Sequence, residues 1–557
     1  MIDSAPKKIS RPAGQNRRHE IEERLAAWGL ARGPRRLFRG ETRVDFEQAH
    51  RRRLRAALEG LGPIFSSFGL YMSARVDLWP AKDCLELATI PDSAAATPMA
   101  DVRRVLSQEI DCLPEDNFSV FEAEPFESGL LFQSHHARLR DGAEVIVKII
   151  HPEADRQVLS DLDLLPLLRD SFSDTGLSDS AFQNAVADFC HTLHLRMDLV
   201  NEAKAFETLA KDAEEYDVLR APRVYGSIGT SKVLVSERLS GLKLDKVVSC
   251  VRDADSRTML GSAGFERDQL ARLLCEAWLR QALMGRCFPV EPRPANILIL
   301  PSKQIAFIGG AFAGLPREPQ TNLWNYIVAA SNENSDKACS CLLKEMRKEG
   351  TSITEDDVRQ KFRQAMPFRD GGWDVSSDNQ SLAELLFVQW RFAEKCGYVP
   401  LMHLPAFYRG LFSVADIARR LAPRSDALAE GVRDLRLLAG LKEFVTLKMI
   451  SRSQLVDQMD EYATMMMNLP QSFDEALTFA SEGHARLKLQ TPDAAQQSGA
   501  GNSSKVVAAL LLVLAAVVLL SHYVTASIAA GPWADRINAF VFIVFGAMLL
   551  RAASRVR

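Results

Sequence analysis

The 557-residue sequence predicts an α+β chain of two lobes, a small strand-rich one followed by a larger helical one. A helical extension precedes the lobes and a membrane-spanning helical hairpin follows them. Three observations carry this reading. Between residues 116 and 245 the helical apolar spacing gives way to short runs of strand-forming residues around an Asp-Gly turn. The stretch FPVEPRPANILILPSKQIAFIGGAFAGLP (Phe288–Pro316) reads as loop, strand, turn, strand, loop. Near the carboxyl end, Val506 to Ala534 contains no charged side chain.

The bulk numbers set the class. The composition, 47% hydrophobic and 25% charged, is that of globular material. A net charge of -3 excludes a dedicated nucleic-acid binder, which would be strongly basic. The nine cysteines are scattered, and the one close pair, Cys339 and Cys341, has no second pair near it. A zinc site is therefore not expected, and reduced thiols are.

Residues 1–115 form the predicted extension. The first 25 residues lack the apolar core of a secretory signal. Over residues 1–60, 15 Lys/Arg stand against 8 Asp/Glu, which suits either a solvated helical surface or docking on an anionic membrane face. Helical spacing runs through residues 15–60, and prolines at 63, 80, 91 and 98 punctuate shorter helices beyond.

Residues 116–245 are the strand-rich lobe. In ARLRDGAEVIVKIIHP the turn at Asp141-Gly142 separates two strand-like runs. One long helix is expected over Ser180–Tyr216, with Phe189, Leu193, Met197 and Val200 on one face. A second strand pair follows in Ala221–Gly241. Residues 246–490 are the helical lobe, entered by a helix over Arg267–Phe288 and broken around 367–380 by a Gly/Asp/Ser-rich loop. The DGGWD at Asp370 reads as a turn rather than a metal loop.

After a low-complexity linker, 491–504, residues 505–551 hold two apolar runs, Val506–Ala534 and Ile537–Leu550. Lipid offers backbone amides no partner, so such runs become helices, and the first is long enough to cross the roughly 30 Å hydrocarbon core. Lys505 before the pair, and Arg551, Arg555 and Arg557 after it, place both ends on the cytoplasmic side. The bilayer is thus a predicted partner.

The order of these parts is the layout of a kinase-like fold, and several motifs resemble the UbiB/ADCK (AarF-like) family of atypical protein-kinase-like proteins. Gly62–Pro80 is similar to its KxGQ segment. Pro125–Pro152 is similar to its Ala-rich phosphate loop and lysine strand. Arg196–Phe206 corresponds to its ExD helix, and FPVEPRPAN to its HxDPHPxN loop. Leu404–Pro423 and the final LPQSFDEAL…GHARLKL look like its later helices. No single motif is specific; six in the right order are. The resemblance implies a bacterial inner-membrane protein with its soluble part on the cytoplasmic side. Its implied partners are isoprenoid lipids such as ubiquinone precursors and the membrane enzymes that make them. ATP is the implied nucleotide.

The departures from that pattern are equally specific. The Lys and Gln of KxGQ are Ser67 and Leu70, with Gly69 kept. The Glu of ExD is Arg196, with Asp198 kept. In the catalytic loop Glu291 replaces the aspartate base and Asn296 is kept. The metal-binding DFG is Gly309-Gly310-Ala311.

Phosphoryl transfer is largely positioning and neutralisation of phosphate charge. Lys148 suits the phosphate-holding lysine, and Glu202 the helix glutamate that holds it. Asp198 and Glu202, four apart, are expected on one helix face. Glu291 stands at the base position, one methylene longer than aspartate, or pairs with Arg293. Gly309 offers magnesium no oxygen at all, and residues 305–315 contain no carboxylate to replace it. Glu127 and Glu291 are expected to repel phosphate. Losing both the KxGQ lysine and the ExD glutamate is expected to leave no unpaired charge. No Walker loop, HExxH or GxSxG occurs. Three readings follow: a membrane-anchored pseudokinase accessory to quinone or other isoprenoid-lipid metabolism; a slow atypical ATPase or kinase using Lys148, Glu202, Glu291 and Asn296; and a nucleotide-independent interaction module.

Overall fold

The computed structural model describes residues 12–30, 43–110, 114–349, 354–365 and 381–446, less a few positions at 76–79, 174–178, 215 and 251–252. The chain divides into two units, Met1–Glu443 and Phe444–Arg557, and the described residues belong to the first apart from the end of its last helix. Among the described residues no helix is long and apolar enough to cross a membrane. The two apolar runs, the linker and the turn at Asp370 all lie outside the described residues.

The extension packs α1 (Pro12–Ala27), α2 (Arg43–Leu61) and α3 (Pro63–Ser73) together. Helix α3 is nearly all apolar and buries Phe65, Phe68, Leu70 and Tyr71. Phe68 stacks edge-on to Phe172, Phe182 and Phe189, so this core is shared with the first half of the long helical stretch. Gly69 permits the close approach: a Cβ there would overlap Ile90 Cδ1 and lie 3.0 Å from Leu58 Cδ1.

The strand-rich lobe is a five-stranded antiparallel sheet. Strands β1 (Phe118–Phe121), β2 (Phe132–Leu139), β3 (Glu144–Ile150) and β4 (Val233–Glu237) lie in that order, and Glu127–Ser128 pairs onto β2. The β2–β3 hairpin turns at Asp141-Gly142, where Gly142 has φ +91°, a left-handed conformation that favours glycine. Alternation along β3 buries Val145, Val147 and Ile149 against Val102 and Leu106. Lys148 therefore faces the opposite side of the sheet. The second strand pair is reduced to β4 and a single bridge, Val224 to Ser236.

The expected single helix over Ser180–Tyr216 is two: α4 (Asp179–Met197) and α5 (Leu199–Ala213). Asp198 makes the break. Its backbone is extended (φ -111°, ψ 98°), and its carboxylate accepts from Val200 N at 3.1 Å as the N-cap of α5. Asp198 is thus a cap and does not share a helix face with Glu202.

The helical lobe buries α6 (Arg267–Leu283) and α7 (His403–Leu421) in one large apolar cluster with Trp278, Tyr326, Phe407 and Tyr408 at its centre. In a second, four-stranded sheet β5 (Ile297–Leu300) and β6 (Gln304–Phe307) form the expected antiparallel pair around Pro301–Lys303.

Candidate functional site

Lys148, Glu202, Asn296 and Gly309 converge where β3, α5 and the 288–310 loops meet. Lys148 Nζ lies 2.7 and 2.9 Å from the two oxygens of Glu202, which is itself only 4% exposed. The pair forms because β3 turns Lys148 away from the sheet's own core, and the capped first turn of α5 carries Glu202 towards it. Lys148 Nζ also sits 4.5 Å from the centroid of the Phe132 ring, a favourable cation–π distance.

Glu291 and Asn296 lie on a loop that is firmly built. Trp278 Nε1 donates to Pro289 O at 2.9 Å, and Ser413 Oγ to Pro292 O at 2.6 Å. A side chain at Gly410 would overlap the Trp278 ring, so α7 also depends on glycine here. Asn296 bridges the loop through its backbone, receiving Ile308 N at 2.9 Å and donating to Arg293 O at 2.9 Å.

Glu291 does not point free into the cleft. Arg293 donates to its Oε1 from Nε (3.2 Å) and from a terminal nitrogen (3.0 Å). The other terminal nitrogen of Arg293 pairs with Asp92 of the extension. The Glu291 charge pushes the Arg293 pKa up, so this cation is firmly protonated.

Gly309 stands beside Glu202 and Asn296. A Cβ built there would lie 3.4 Å from Glu202 Oε1 and 3.5 Å from Asn296 Oδ1. The oxygen donors around a metal at this point are therefore one carboxylate already engaged with Lys148 and one neutral amide. Divalent magnesium calls for near-octahedral oxygen ligation that normally includes carboxylates, and this set does not fit it. Among the described residues no three His, Cys, Asp or Glu side chains are grouped to hold a metal.

The extension lies along Ser128–Gly129 and the start of β2 in the strand-rich lobe. Ala94 N donates to Ser128 O at 3.2 Å, and Thr97 N to Gln133 Oε1 at 2.7 Å. His151 joins the two, with Nδ1 2.7 Å from Thr97 Oγ1 and Nε2 3.0 Å from Gly129 O. Glu127, expected to repel phosphate, is neutralised by Lys243 at 2.8 Å.

The two degenerate positions of the extension motif fare differently. Ser67 and Leu70 are buried in the α3 core and carry no charge towards the cleft. Arg196, however, does bring a charge, and among the described residues no carboxylate pairs with it. The expectation that both losses together leave no unpaired charge is corrected at this position. Sequence reasoning also missed Asp92, Phe132 and Lys243. Asp92 and Lys243 act through partners distant in the chain, and Phe132 opens β2 and meets Lys148 across the hairpin.

Against known proteins, residues 89–342 match the family model of the ABC1 atypical kinase-like domain. A "Probable protein kinase UbiB" from Pseudomonas putida (strain GB-1) is 29% identical over 318 residues, 56% of this chain and 57% of that one. An "Uncharacterized protein in hydrogenase 1 5'region" from Clostridium pasteurianum is 24% identical over 327 residues, 58% of each chain. The chain thus spans a little over half the length of these curated relatives. A solved structure, the Rv3197–erythromycin complex from Mycobacterium tuberculosis, is similar at 21% identity over 61% of this chain and 87% of that one. The TM-score of that match is 0.37.

Proposed function

We propose that this chain, which belongs to the UbiB/ADCK family of atypical kinase-like proteins, is a membrane-anchored pseudokinase. Its role would be that of an accessory protein, a scaffold or lipid-handling partner, in ubiquinone or other isoprenoid-lipid metabolism. One observation carries the pseudokinase part. Where the family pattern places a metal-holding aspartate, Gly309 leaves only Asn296 and an already paired Glu202 beside the site. The base position is also committed, since Arg293 holds Glu291. Anchoring rests on the charge-free run Val506–Ala534 and its positive flanks.

The test is magnesium-dependent ATP hydrolysis by the full chain in mild detergent. No turnover above background is expected; robust turnover that disappears in Glu291→Gln would overturn the reading. Membrane fractionation of cells expressing the full chain and a version ending at residue 490 checks the anchor, with the shorter chain expected in the soluble fraction.

A second reading, a slow atypical ATPase, draws on the intact Lys148–Glu202 pair. Metal-dependent thermal stabilisation by ATP, abolished by Lys148→Ala, would favour it.

A further inference from the structure

Gln133 and His135 are 1% and 0% exposed, on the face of β2 that also carries Ala137 and Leu139. Apolar side chains would fill that face with no polar group to desolvate. These two instead build a chain of hydrogen bonds that ends on the amino-terminal extension. Glu122 O lies 2.8 Å from His135 Nδ1. A carbonyl only accepts, so Nδ1 carries the proton of the neutral ring and Nε2 is bare. Gln133 Nε2 donates to that bare nitrogen at 2.8 Å. The amide, so oriented, turns its Oε1 to Thr97 N, which donates to it at 2.7 Å, and leaves Nε2 3.4 Å from Thr97 O. His135 thus decides which end of the Gln133 amide meets the extension.

A second proton on the ring reverses these contacts. Nε2–H then faces the Gln133 amide nitrogen, donor against donor. Turning the amide over satisfies the ring, but sets its nitrogen against Thr97 N–H and its oxygen against Thr97 O. Either way a buried donor loses its acceptor, which costs more than the bond itself contributed. The other grip on Thr97 lacks this property. His151 Nε2 donates to Gly129 O, and its Nδ1 accepts from Thr97 Oγ1. A hydroxyl can turn and accept from a charged ring, so protonating His151 leaves that bond intact.

We propose that His135 is a proton-operated release for the extension segment Ala94–Thr97. Neutral, the ring holds Thr97 on Gln133; protonated, it lets the segment go, and the Ala94 bond to Ser128 O goes with it. The freed ring gains solvent and keeps its proton, so the segment is docked at neutral pH and released in acid.

The surroundings of the ring support this direction. Burial holds the docked ring's pKa below the usual histidine range, and Glu122 opposes this only in part. The Phe121 ring of β1 lies 5.0 Å away, Val147 of β3 is the cross-strand neighbour, and the helix Met99–Glu109 turns Val102 and Leu106 to this face. The charges of that helix are engaged or exposed: Asp101 pairs with Arg104, Glu109 with Lys232, and Arg103 is exposed. His136, the next residue in β2, is on the opposite face, stacked on Phe126.

The experiment is amide hydrogen exchange on the full chain in mild detergent at about pH 8 and about pH 5, read as protection relative to the unstructured rate at each pH. Residues 92–97 are expected to lose at least about tenfold in protection at the lower pH, while β4 keeps its own. His135→Gln, which cannot titrate, is expected to abolish this step. Gln133→Met keeps the titrating ring but has no amide to turn. Residues 92–97 are then expected to exchange faster than in the parent at the higher pH, with no further step at the lower. Thr97→Val severs His151 but keeps the backbone bond to Gln133, and its step is expected to persist. The Asp92–Arg293 pair is common to all three variants, so a step that it caused would survive in each. Melting temperatures near the parent's show that the variants fold; should His135→Gln not fold, Gln133→Met carries the test alone. Equal protection of residues 92–97 at both pH values in the parent overturns the proposal. So does a step that survives in His135→Gln or Gln133→Met, one that vanishes in Thr97→Val, or one that β4 shares.

Discussion

Asp92 and Arg293 lie 201 residues apart in the chain and form an ion pair. The pair ties the amino-terminal extension to the loop that bears Glu291. Asp92 is 44% exposed, so its contribution to stability is of the order of a surface pair, up to about 1 kcal/mol. Its local effect is larger. Asp92→Ala is expected to speed amide hydrogen exchange in residues 92–97 and 127–131 while changing the denaturation midpoint little. Unchanged exchange there would show that the backbone bonds of Ala94 and Thr97 hold the extension without the pair.

Lys148 and Glu202 behave as a buried pair. Lys148→Ala leaves a carboxylate 4% exposed without its cation and is expected to cost about 3–5 kcal/mol in denaturant unfolding. The double change Lys148→Met with Glu202→Leu removes both charges and is expected to recover most of that loss. A double variant no better than the single one would place the damage elsewhere than in the stranded charge.

Gly309→Asp tests the metal site from the opposite direction. The Cβ fits, with its nearest neighbours at ordinary contact, and the new carboxylate would stand beside Asn296 and Glu202. Magnesium is expected to raise the melting temperature of this variant and to leave that of the parent unchanged. Equal responses would mean that the glycine is not what separates this cleft from a metal-binding one.

Glu276 predicts a pH effect of definite sign. It is 5% exposed, accepts from Tyr216 at 2.8 Å, and burial pushes its pKa up to about 7. Between the ordinary glutamate range and pH 7 the folded state therefore holds the extra proton, and stability from this group falls as pH rises through that window. His135, His136 and His151 are held below the usual histidine range, chiefly by burial. Their share has the opposite sign: present above that range, it is lost as pH falls. Glu276→Gln isolates the first effect, because an amide still accepts from Tyr216 without carrying charge. At pH 8 it is expected to stabilise the fold by about 1–3 kcal/mol relative to the parent, and by little at pH 5. Parallel stability–pH curves for the two proteins would refute the assignment.

Much of the architecture could be read before any coordinates, because it depends on neighbours in the chain. An Asp-Gly pair marked the hairpin, and the absence of a carboxylate over residues 305–315 was plain from the sequence. Where local signals competed, reading failed. Apolar spacing ran unbroken through Asp198, yet its side chain made a better cap than a helix interior, and one helix became two.

The electrostatics of the cleft were decided only on folding. Glu127 found Lys243 at a separation of 116 residues, Arg293 found Asp92 at 201, and Arg196 found no carboxylate among the described residues. Periodicity and turn chemistry act over a few residues. The pairing of charges depends on which distant segments share a space, and that is fixed by the packing of whole helices and sheets.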